Sequence, residues 1–314
     1  MSMQTDDEAT RAEQLLRDSR HPSEAPAFVL AVTAVGVVLA IGLFAVFSPA
    51  VLGGLLAIVG VALFIWLNFQ IGRVRMRAHA VAVTSASFPA LQEVIDDVRS
   101  RLGYRRRVDV FVVRGQATAA ATYTYFGVNA ILLDGSAIAD LDSERRRSEV
   151  RFLLATEFGH LLARFSWWVP ARVAVTRLGL QQVLAPFVAP WLRATVYTGD
   201  RLAYLCTRDV DVSMNAIHRA LVGKDAAADL RPSGLIEQAG SVRQSFILRV
   251  AEILPSTPHT TNRYLELLAF IAQVQPADFD RLRDAVSPKA AAVMTQLVPP
   301  PTQPVGLPPA AAEG

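Results

Sequence analysis

A glutamate and a histidine three residues apart are the pair in this sequence best suited to act together in catalysis. They are Glu157 and His160, in the stretch Thr156-Glu157-Phe158-Gly159-His160. On a helix, such a pair lies on neighbouring turns of one face. In the motif H-E-x-x-H, two histidines four residues apart bind zinc, and the glutamate activates a water molecule. Thr156 stands where the first histidine would be, so the spacing predicts a zinc-type helix from which one ligand is missing.

The residues around this pair predict a helix over 143–165. Its apolar residues recur at helical spacing: Val150, Leu153, Leu154, Phe158, Leu161 and Leu162. An amphipathic helix and three short β-rich segments come before it, at 88–102, 108–113, 118–125 and 128–133. We therefore expect a mostly helical α+β domain, in which a small sheet packs beside the Glu157 helix.

The segment 178–192 is apolar but contains Pro186 and Pro190, which argue against a simple spanning helix. We expect a surface-lying or re-entrant element there, with a further membrane span as the alternative. A loop is expected at 223–232, and the Pro-rich residues 298–314 are expected to form an unstructured tail. The remaining sequence predicts helices at 200–207, from 209 to about 221, at 235–254, and as a final pair that reaches about 297.

Two apolar runs near the N-terminus, 27–48 and 51–69, carry no charged residue. As a helix, the 22 residues of the first run would be about 33 Å long, enough for the roughly 30 Å hydrocarbon core of a bilayer. The polar residues 1–26 and the second run favour a two-helix transmembrane hairpin over a cleaved signal peptide. Arginines flank only the outer ends of this hairpin, at 11, 17, 20, 73, 75 and 77. By the positive-inside rule, both ends and everything after residue 72 face the cytoplasm.

Composition narrows the class of protein further. The chain has 314 residues, of which 52% are hydrophobic, so membrane segments are expected. Its formal net charge of +3 does not call for a nucleic-acid partner. The single cysteine, Cys206, excludes an intramolecular disulfide and a cysteine-rich metal site. Only Lys224 and Lys289 are lysines among the 31 basic residues, which indicates GC-rich coding and a bacterial source. The sequence does not predict the oligomeric state.

Three blocks, in this order, resemble the M48 metallopeptidases, the family of HtpX-type membrane-anchored zinc endopeptidases. The block 153–165 resembles the family's H-E-x-G-H helix, and 196–203 resembles a block of the form E-x-x-x-D-R-x-A. The third block, 256–267, contains Ser256-Thr257-Pro258-His259 and Arg263 and resembles S-T-H-P-x-x-x-x-R. The likeness covers about residues 75–270. It implies a zincin-like domain over 73–297, behind the membrane hairpin at 27–69.

The resemblance also implies roles for individual residues. Glu157 matches the general base, His160 one zinc ligand, and Asp200 an aspartate that supports the site. Thr156 and Val196 occupy the positions of the second histidine and of the ligand glutamate. A catalytic zinc site uses three protein donors, and two of them are replaced here. We therefore expect no bound cofactor and a catalytically inactive pseudopeptidase, because without zinc the water is not activated.

The alternative is an active zinc endopeptidase with a different ligand set. The other candidate donors are His79, Asp209, Asp211, His218 and His259, none of which lies at ligand spacing from the pair. Asp209 and Asp211 are expected to be a helix cap and a first-turn acid. In the inactive protein, Glu157 and His160 are expected to be a remnant pair that is hydrogen-bonded to Asp200.

By the same resemblance, 118–125 corresponds to the family's substrate-binding edge strand. It reads Ala119-Ala120-Ala121 where the family has Asn-Ala-Phe. An edge strand can bind an extended peptide through its main chain, and an ordinary sheet strand is the alternative. The expected partners are the lipid bilayer and peptides or membrane proteins, in quality control at the bacterial inner membrane. The arginine triplets 105–107 and 145–147 either contact anionic lipid headgroups or are solvated.

Overall fold

The structure is a computed structural model that describes most of the chain. The described residues are 13–47, scattered positions between 59 and 74, 79–115, 118–125, 128–163, 181–227, 229–244 and 258–297. In this part of the chain the fold is α+β and mostly helical, with one small sheet. This confirms the predicted mostly helical α+β class, whereas the zincin-like plan and the two-helix hairpin stay predictions. The second apolar run at 51–69 lies largely outside the described residues, and the tail at 298–314 lies wholly outside them.

The strands are β1 (Val81–Ala82), β2 (Val108–Val113), β3 (Ala120–Tyr125) and β4 (Val128–Asp134). The first helices are α1 (13–19), α2 (Glu24–Phe47), α3 (Pro89–Arg101), α4 (Glu144–Leu162) and α5 (Gln181–Thr207). They are followed by α6 (Val210–Val222), α7 (Lys224–Ala227), α8 (Pro232–Gln244), α9 (Thr260–Val274), α10 (Pro276–Ala285) and α11 (Pro288–Leu297).

The four strands form one mixed sheet in the order β1-β2-β4-β3. β2 and β4 are parallel, whereas β1 and β3 run antiparallel to their neighbours. Side chains alternate between the two faces of a strand. Val110, Ile131 and Leu133 therefore enter the main core, while Phe111 and Leu132 join a smaller cluster on the opposite face. The three predicted strands are confirmed as β2, β3 and β4.

The main core lies between the sheet and the helices. α4 is its central element, because nearly every residue from 149 to 161 of this helix is buried. The core residues on α4 are Val150, Phe152, Leu154, Ala155, Phe158 and Leu161. They pack with side chains of α3, α5, α6 and α9, so Glu157 and His160 lie on the most enclosed helix of the domain.

A single helix, α5, runs through both prolines from Gln181 to Thr207. The two prolines therefore do not interrupt the helix, and the helix predicted at 200–207 is confirmed as its C-terminal part. The surface-lying or re-entrant placement of 178–192 stays a prediction. Pro186 and Pro190 are four residues apart, so the two missing backbone hydrogen bonds fall on the same side of the helix. Packing of the other side offsets this loss, because Leu184, Val188, Trp191 and Leu192 are buried against α2.

Two smaller predictions differ from the structure. The expected loop at 223–232 contains the one-turn helix α7, and the expected final pair of helices is three helices, α9 to α11. α8 is described only to Gln244, so the predicted extension to 254 lies outside the described residues.

Among the described residues, one stretch, Glu24–Gly42 of α2, is long and apolar enough to cross a membrane.

His218 is a buried histidine in the contact between α6 and α9. Only 2% of its surface is exposed, and its ring stacks on Tyr264 at 5.4 Å between centroids. Neither ring nitrogen has a hydrogen-bond partner in the described part of the chain. Burial lowers the pKa of His218, because the charged form would lose its hydration.

This burial predicts that acid destabilises the fold. Below about pH 6.5 the unfolded chain binds a proton at His218 that the folded chain resists, so stability falls by at most about 1.4 kcal/mol per pH unit. Substituting His218→Phe keeps the ring stack and should remove this loss. Thermal unfolding between about pH 7.5 and 5.5 measures it. An equal acid-induced loss in both proteins would contradict a neutral, buried His218.

Candidate functional site

Glu157 and His160 form a buried pair on the face of α4 that contacts β3. The hydroxyl of Thr122 on β3 donates to Oε2 of Glu157 at 2.5 Å. Nδ1 of His160 lies 3.4 Å from the same oxygen. All three side chains are buried, so both hydrogen bonds are shielded from water. The carboxylate that could serve as a general base is thus already bonded within the protein.

Thr156 and Val196, which the resemblance places at the positions of two zinc ligands, are poor or impossible metal donors. The hydroxyl of Thr156 is buried and donates to the carbonyl of Phe152, one turn earlier in the same helix, at 3.1 Å. Val196 lies on α5 and is partly buried, and its side chain contains only carbon. The side chains of Thr156 and Val196 are therefore neutral packing residues of α4 and α5.

Two glycines bring α4 and α5 into close contact at this pair. A Cβ atom on Gly159 would lie 2.9 Å from the Cα of Gly199. A Cβ atom on Gly199 would lie 2.9 Å from the carbonyl oxygen of Thr156 and 2.9 Å from Cδ2 of His160. Real Cβ atoms do not approach other atoms so closely, so the contact requires glycine on both helices. The His160 ring thus lies directly against the backbone of α5.

The residue after Gly199 is Asp200, which pairs with an arginine from a third helix. Both oxygens of the Asp200 carboxylate accept hydrogen bonds from Arg263 on α9, at 2.9 Å from Nε and 2.7 Å from Nη2. Asp200 was expected to hydrogen-bond the pair on α4. In the structure, Asp200 forms this bidentate ion pair with Arg263 instead. The pair joins the second and third sequence blocks in space.

Charge at the site favours an ionised glutamate. Burial alone would raise the pKa of Glu157, but His160, Thr122 and Arg263 together hold it below its ordinary value. Burial likewise opposes the charge of Arg263, and Asp200 and Glu157 outweigh it and raise the pKa of this arginine. The site is therefore a closed set of opposite charges and hydrogen bonds.

These residues do not fit a catalytic zinc ion. Such an ion needs three protein donors, and this pair offers His160 and a glutamate already bonded to Thr122. In the described part of the chain, no three histidine, cysteine, aspartate or glutamate side chains are grouped so that they could hold a metal. His218 lies in its stack with Tyr264, and His259 is the N-cap residue of α9.

The edge of the sheet lies next to this pair. Ala119 accepts a hydrogen bond from the amide of Asp134 on β4, at 2.9 Å, and Ala120 and Ala121 follow it in β3. Backbone groups of an antiparallel strand alternate between its two edges. The amides and carbonyls of Ala120 and Thr122 therefore point away from β4. Thr122 presents its backbone to the edge away from β4 and its side chain to Glu157.

Sequence reasoning missed two parts of this site. It did not single out Thr122, whose contact with Glu157 depends on how β3 packs on α4. It also missed the segment before α2, where the amide of His21 donates to the hydroxyl of Thr198 at 3.0 Å. That hydroxyl lies 2.5 Å from Oε2 of the buried Glu24. A lone glutamate at the start of an apolar run is the sequence signal that could have indicated this contact.

Comparisons with family models, with curated proteins and with solved structures give no match to this chain. The likeness to M48 metallopeptidases therefore stays a prediction that rests on the residues and on the geometry described above.

The close contact of α4 and α5 predicts the effect of one added methyl group. Substituting Gly199→Ala should lower the free energy of unfolding by about 1–3 kcal/mol, because the new Cβ would overlap the Thr156 carbonyl and the His160 ring. Chemical or thermal unfolding of the purified protein measures the change.

Gly234 provides a matched control, because it also lies in a helix and a Cβ there would meet no atom within 4 Å. Substituting Gly234→Ala should leave stability unchanged or raise it by up to about 1 kcal/mol. If Gly199→Ala were as harmless as Gly234→Ala, α4 and α5 would not be in this contact.

Proposed function

We propose that this chain is a membrane-anchored pseudopeptidase on the M48 zincin plan. It binds peptides or partner proteins in the quality control of bacterial membrane proteins and does not cleave them. A transmembrane hairpin anchors it in the inner membrane, and its C-terminal domain lies in the cytoplasm.

One observation carries the proposal: the three blocks that resemble the family converge on one site. Glu157 comes from the first block, Asp200 from the second and Arg263 from the third. More than a hundred residues separate Glu157 from Arg263 in the sequence. Asp200 and Arg263 are directly bonded, and the charge of Arg263 lowers the pKa of Glu157. This convergence supports the proposal, because the M48 plan also gathers these three blocks at one site.

The donor set supports an inactive site. Peptide hydrolysis by this family's chemistry needs a Lewis acid that polarises the carbonyl and activates water. Thr156 and Val196 supply no ligand for it. Oε2 of Glu157 already accepts a hydrogen bond from Thr122, and the lowered pKa of this carboxyl makes it a weaker base than an ordinary glutamate.

The open edge of β3 supports peptide binding. The outward amides and carbonyls of Ala120 and Thr122 can pair with an extended peptide as an added strand. In the described part of the chain, β3 is the last strand at this edge of the sheet. Because Thr122 also bonds Glu157, a peptide paired with this strand would lie beside the remnant site.

A proline in β3 tests this binding mode. Substituting Ala120→Pro removes an outward amide and leaves the β4 ladder intact, so the protein should fold but lose at least about tenfold in peptide affinity. Crosslinking of bound peptides from a random library, to the full chain in detergent, measures the loss. The matched variant Ala121→Pro removes an amide that faces β4 and should destabilise the sheet instead. Unchanged peptide binding in the folded Ala120→Pro variant would contradict the proposal.

Substituting Glu157→Gln separates a binding protein from an enzyme. A pseudopeptidase should show no chelator-sensitive proteolysis before or after this change, and its peptide crosslinks should persist. Proteolysis that needs a metal and that disappears in the Glu157→Gln variant would establish the alternative, an active zinc endopeptidase.

The packing of α5 on α2 extends the membrane part of the proposal. Glu24 contacts Thr198 and Phe28 contacts Trp191, so the two helices run antiparallel. Residues 181–192 of α5 carry no charge and lie beside the apolar part of α2. Twelve residues of helix are about 18 Å long, so this half of α5 reaches past the middle of a 30 Å hydrocarbon core.

Two residues of equal exposure test this insertion. Phe187 on α5 is 41% exposed, and Leu221 on α6 is 39% exposed. In native membranes, the Phe187→Cys variant should react with a membrane-impermeant maleimide at least about tenfold more slowly than the Leu221→Cys variant, because lipid covers residue 187. The natural Cys206 is buried, which raises the pKa of its thiol to about 12 and keeps it unreactive. Equal labelling rates would place α5 outside the bilayer.

A further inference from the structure

Four arginines from two distant parts of the chain line one cleft beside the start of α2. Arg17 and Arg20 come from α1 and the residue after it, and Arg105 and Arg106 come from the turn after α3. All four side chains are exposed, and the cleft has a volume of about 430 Å³. Its floor is apolar and is formed by Leu16, Tyr104, Leu161 and Leu162.

The cleft carries a net positive charge. Four arginines and one acid, Glu13, line it, which leaves +4 − 1 = +3. Arg20 lies 3.9 Å from Glu24, which is a long ion pair. Glu24 is buried and already accepts a hydrogen bond from Thr198 at 2.5 Å, so this long contact leaves the half-exposed guanidinium group of Arg20 accessible from the cleft.

Contacts to α5 place this cleft at the level where α2 enters the membrane. The carbonyl of Arg20 accepts from Nη1 of Arg201 at 3.3 Å, and the next residue, His21, bonds Thr198. α2 begins four residues after Arg20, at Glu24. Arg20 therefore lies within about one helical turn of the start of α2, and the other three arginines line the same cleft.

The second arginine triplet has a different role. Arg146 is buried, with 8% of its side chain exposed, and it donates to Glu149 at 2.6 Å and to the carbonyls of Ala137 and Ala139. Arg147 donates to the carbonyl of Leu141 at 2.8 Å. These two side chains fix the turn before α4, whereas Arg105 and Arg106 of the first triplet are exposed and line the cleft.

We propose that the cleft binds the phosphate of an anionic phospholipid from the cytoplasmic leaflet, with the upper part of an acyl chain over the apolar floor. Guanidinium groups pair with phosphate oxygens through two hydrogen bonds, and arginines beside a membrane are attracted to anionic lipid. The leucines give the site a contact that free phosphate cannot make. This proposal rests on the membrane insertion of α2 in the proposed function.

The test is a lipid titration of the lipid-depleted full chain in a nonionic detergent, read by native mass spectrometry. The natural protein should bind phosphatidylglycerol at least about tenfold more tightly than phosphatidylcholine. The double variant Arg17→Gln/Arg106→Gln removes one arginine from each side of the cleft and should lose at least about tenfold in phosphatidylglycerol affinity, since each arginine near an anionic surface contributes roughly fivefold.

The variant Arg281→Gln/Arg283→Gln is the matched control, because it removes two positive charges from α10. It should keep the affinity and the preference of the natural protein. An equal loss in the control would overturn the proposal, because binding would then follow net charge alone. Full displacement of the lipid by inorganic phosphate at the same concentration would also overturn it in favour of a phosphate-ion site.

Alkaline extraction of membranes separates this proposal from the one on which it rests. A chain that stays in the membrane but binds both lipids equally overturns the lipid site alone. A chain that alkali extracts overturns the membrane anchoring and the lipid site with it.

Discussion

The contact between Gly159 of α4 and Gly199 of α5 is the constraint on which the rest of this structure depends. With no Cβ on either residue, the two helices approach until the His160 ring meets the backbone of α5. This close approach places Asp200 beside the first turn of α9, where Arg263 bonds it. It also leaves the face of α4 that carries Glu157 in contact with β3. Each element of the site is thus positioned by one helix crossing.

The crossing of α4 and α5 encloses charged side chains that are paired with one another. Asp200 is matched by Arg263, and Glu157 is matched by the hydroxyl of Thr122 and by His160. Removing one partner of a buried ion pair costs about 3–5 kcal/mol, so these residues are held by stability as well as by any activity. In the proposed pseudopeptidase, Glu157 and His160 therefore need no metal to stay in place, because the pair is part of the packing.

The spacing of apolar residues predicted the helices and strands whose formation depends on neighbouring residues in the sequence. Strand β2 matches its predicted range, and α3 and α4 end within a few residues of theirs, because alternation and helical spacing mark them. The proline rule failed for α5, since packing on α2 offsets two lost hydrogen bonds. The contacts of Thr122 and of His21 could not be predicted, because each joins segments more than thirty residues apart. The resemblance placed Arg263 in the third block, but its ion pair with Asp200 was visible only in the structure.

The most direct test is the zinc content of the full chain, purified in detergent after growth with added zinc. It is measured beside the double variant Thr156→His/Val196→Glu, which restores the two missing donors. The account predicts no zinc in the natural protein and about one equivalent in the variant, because a catalytic site needs three donors. Stoichiometric zinc in the natural protein would contradict the inactive site, and no zinc in either protein would contradict the zincin plan.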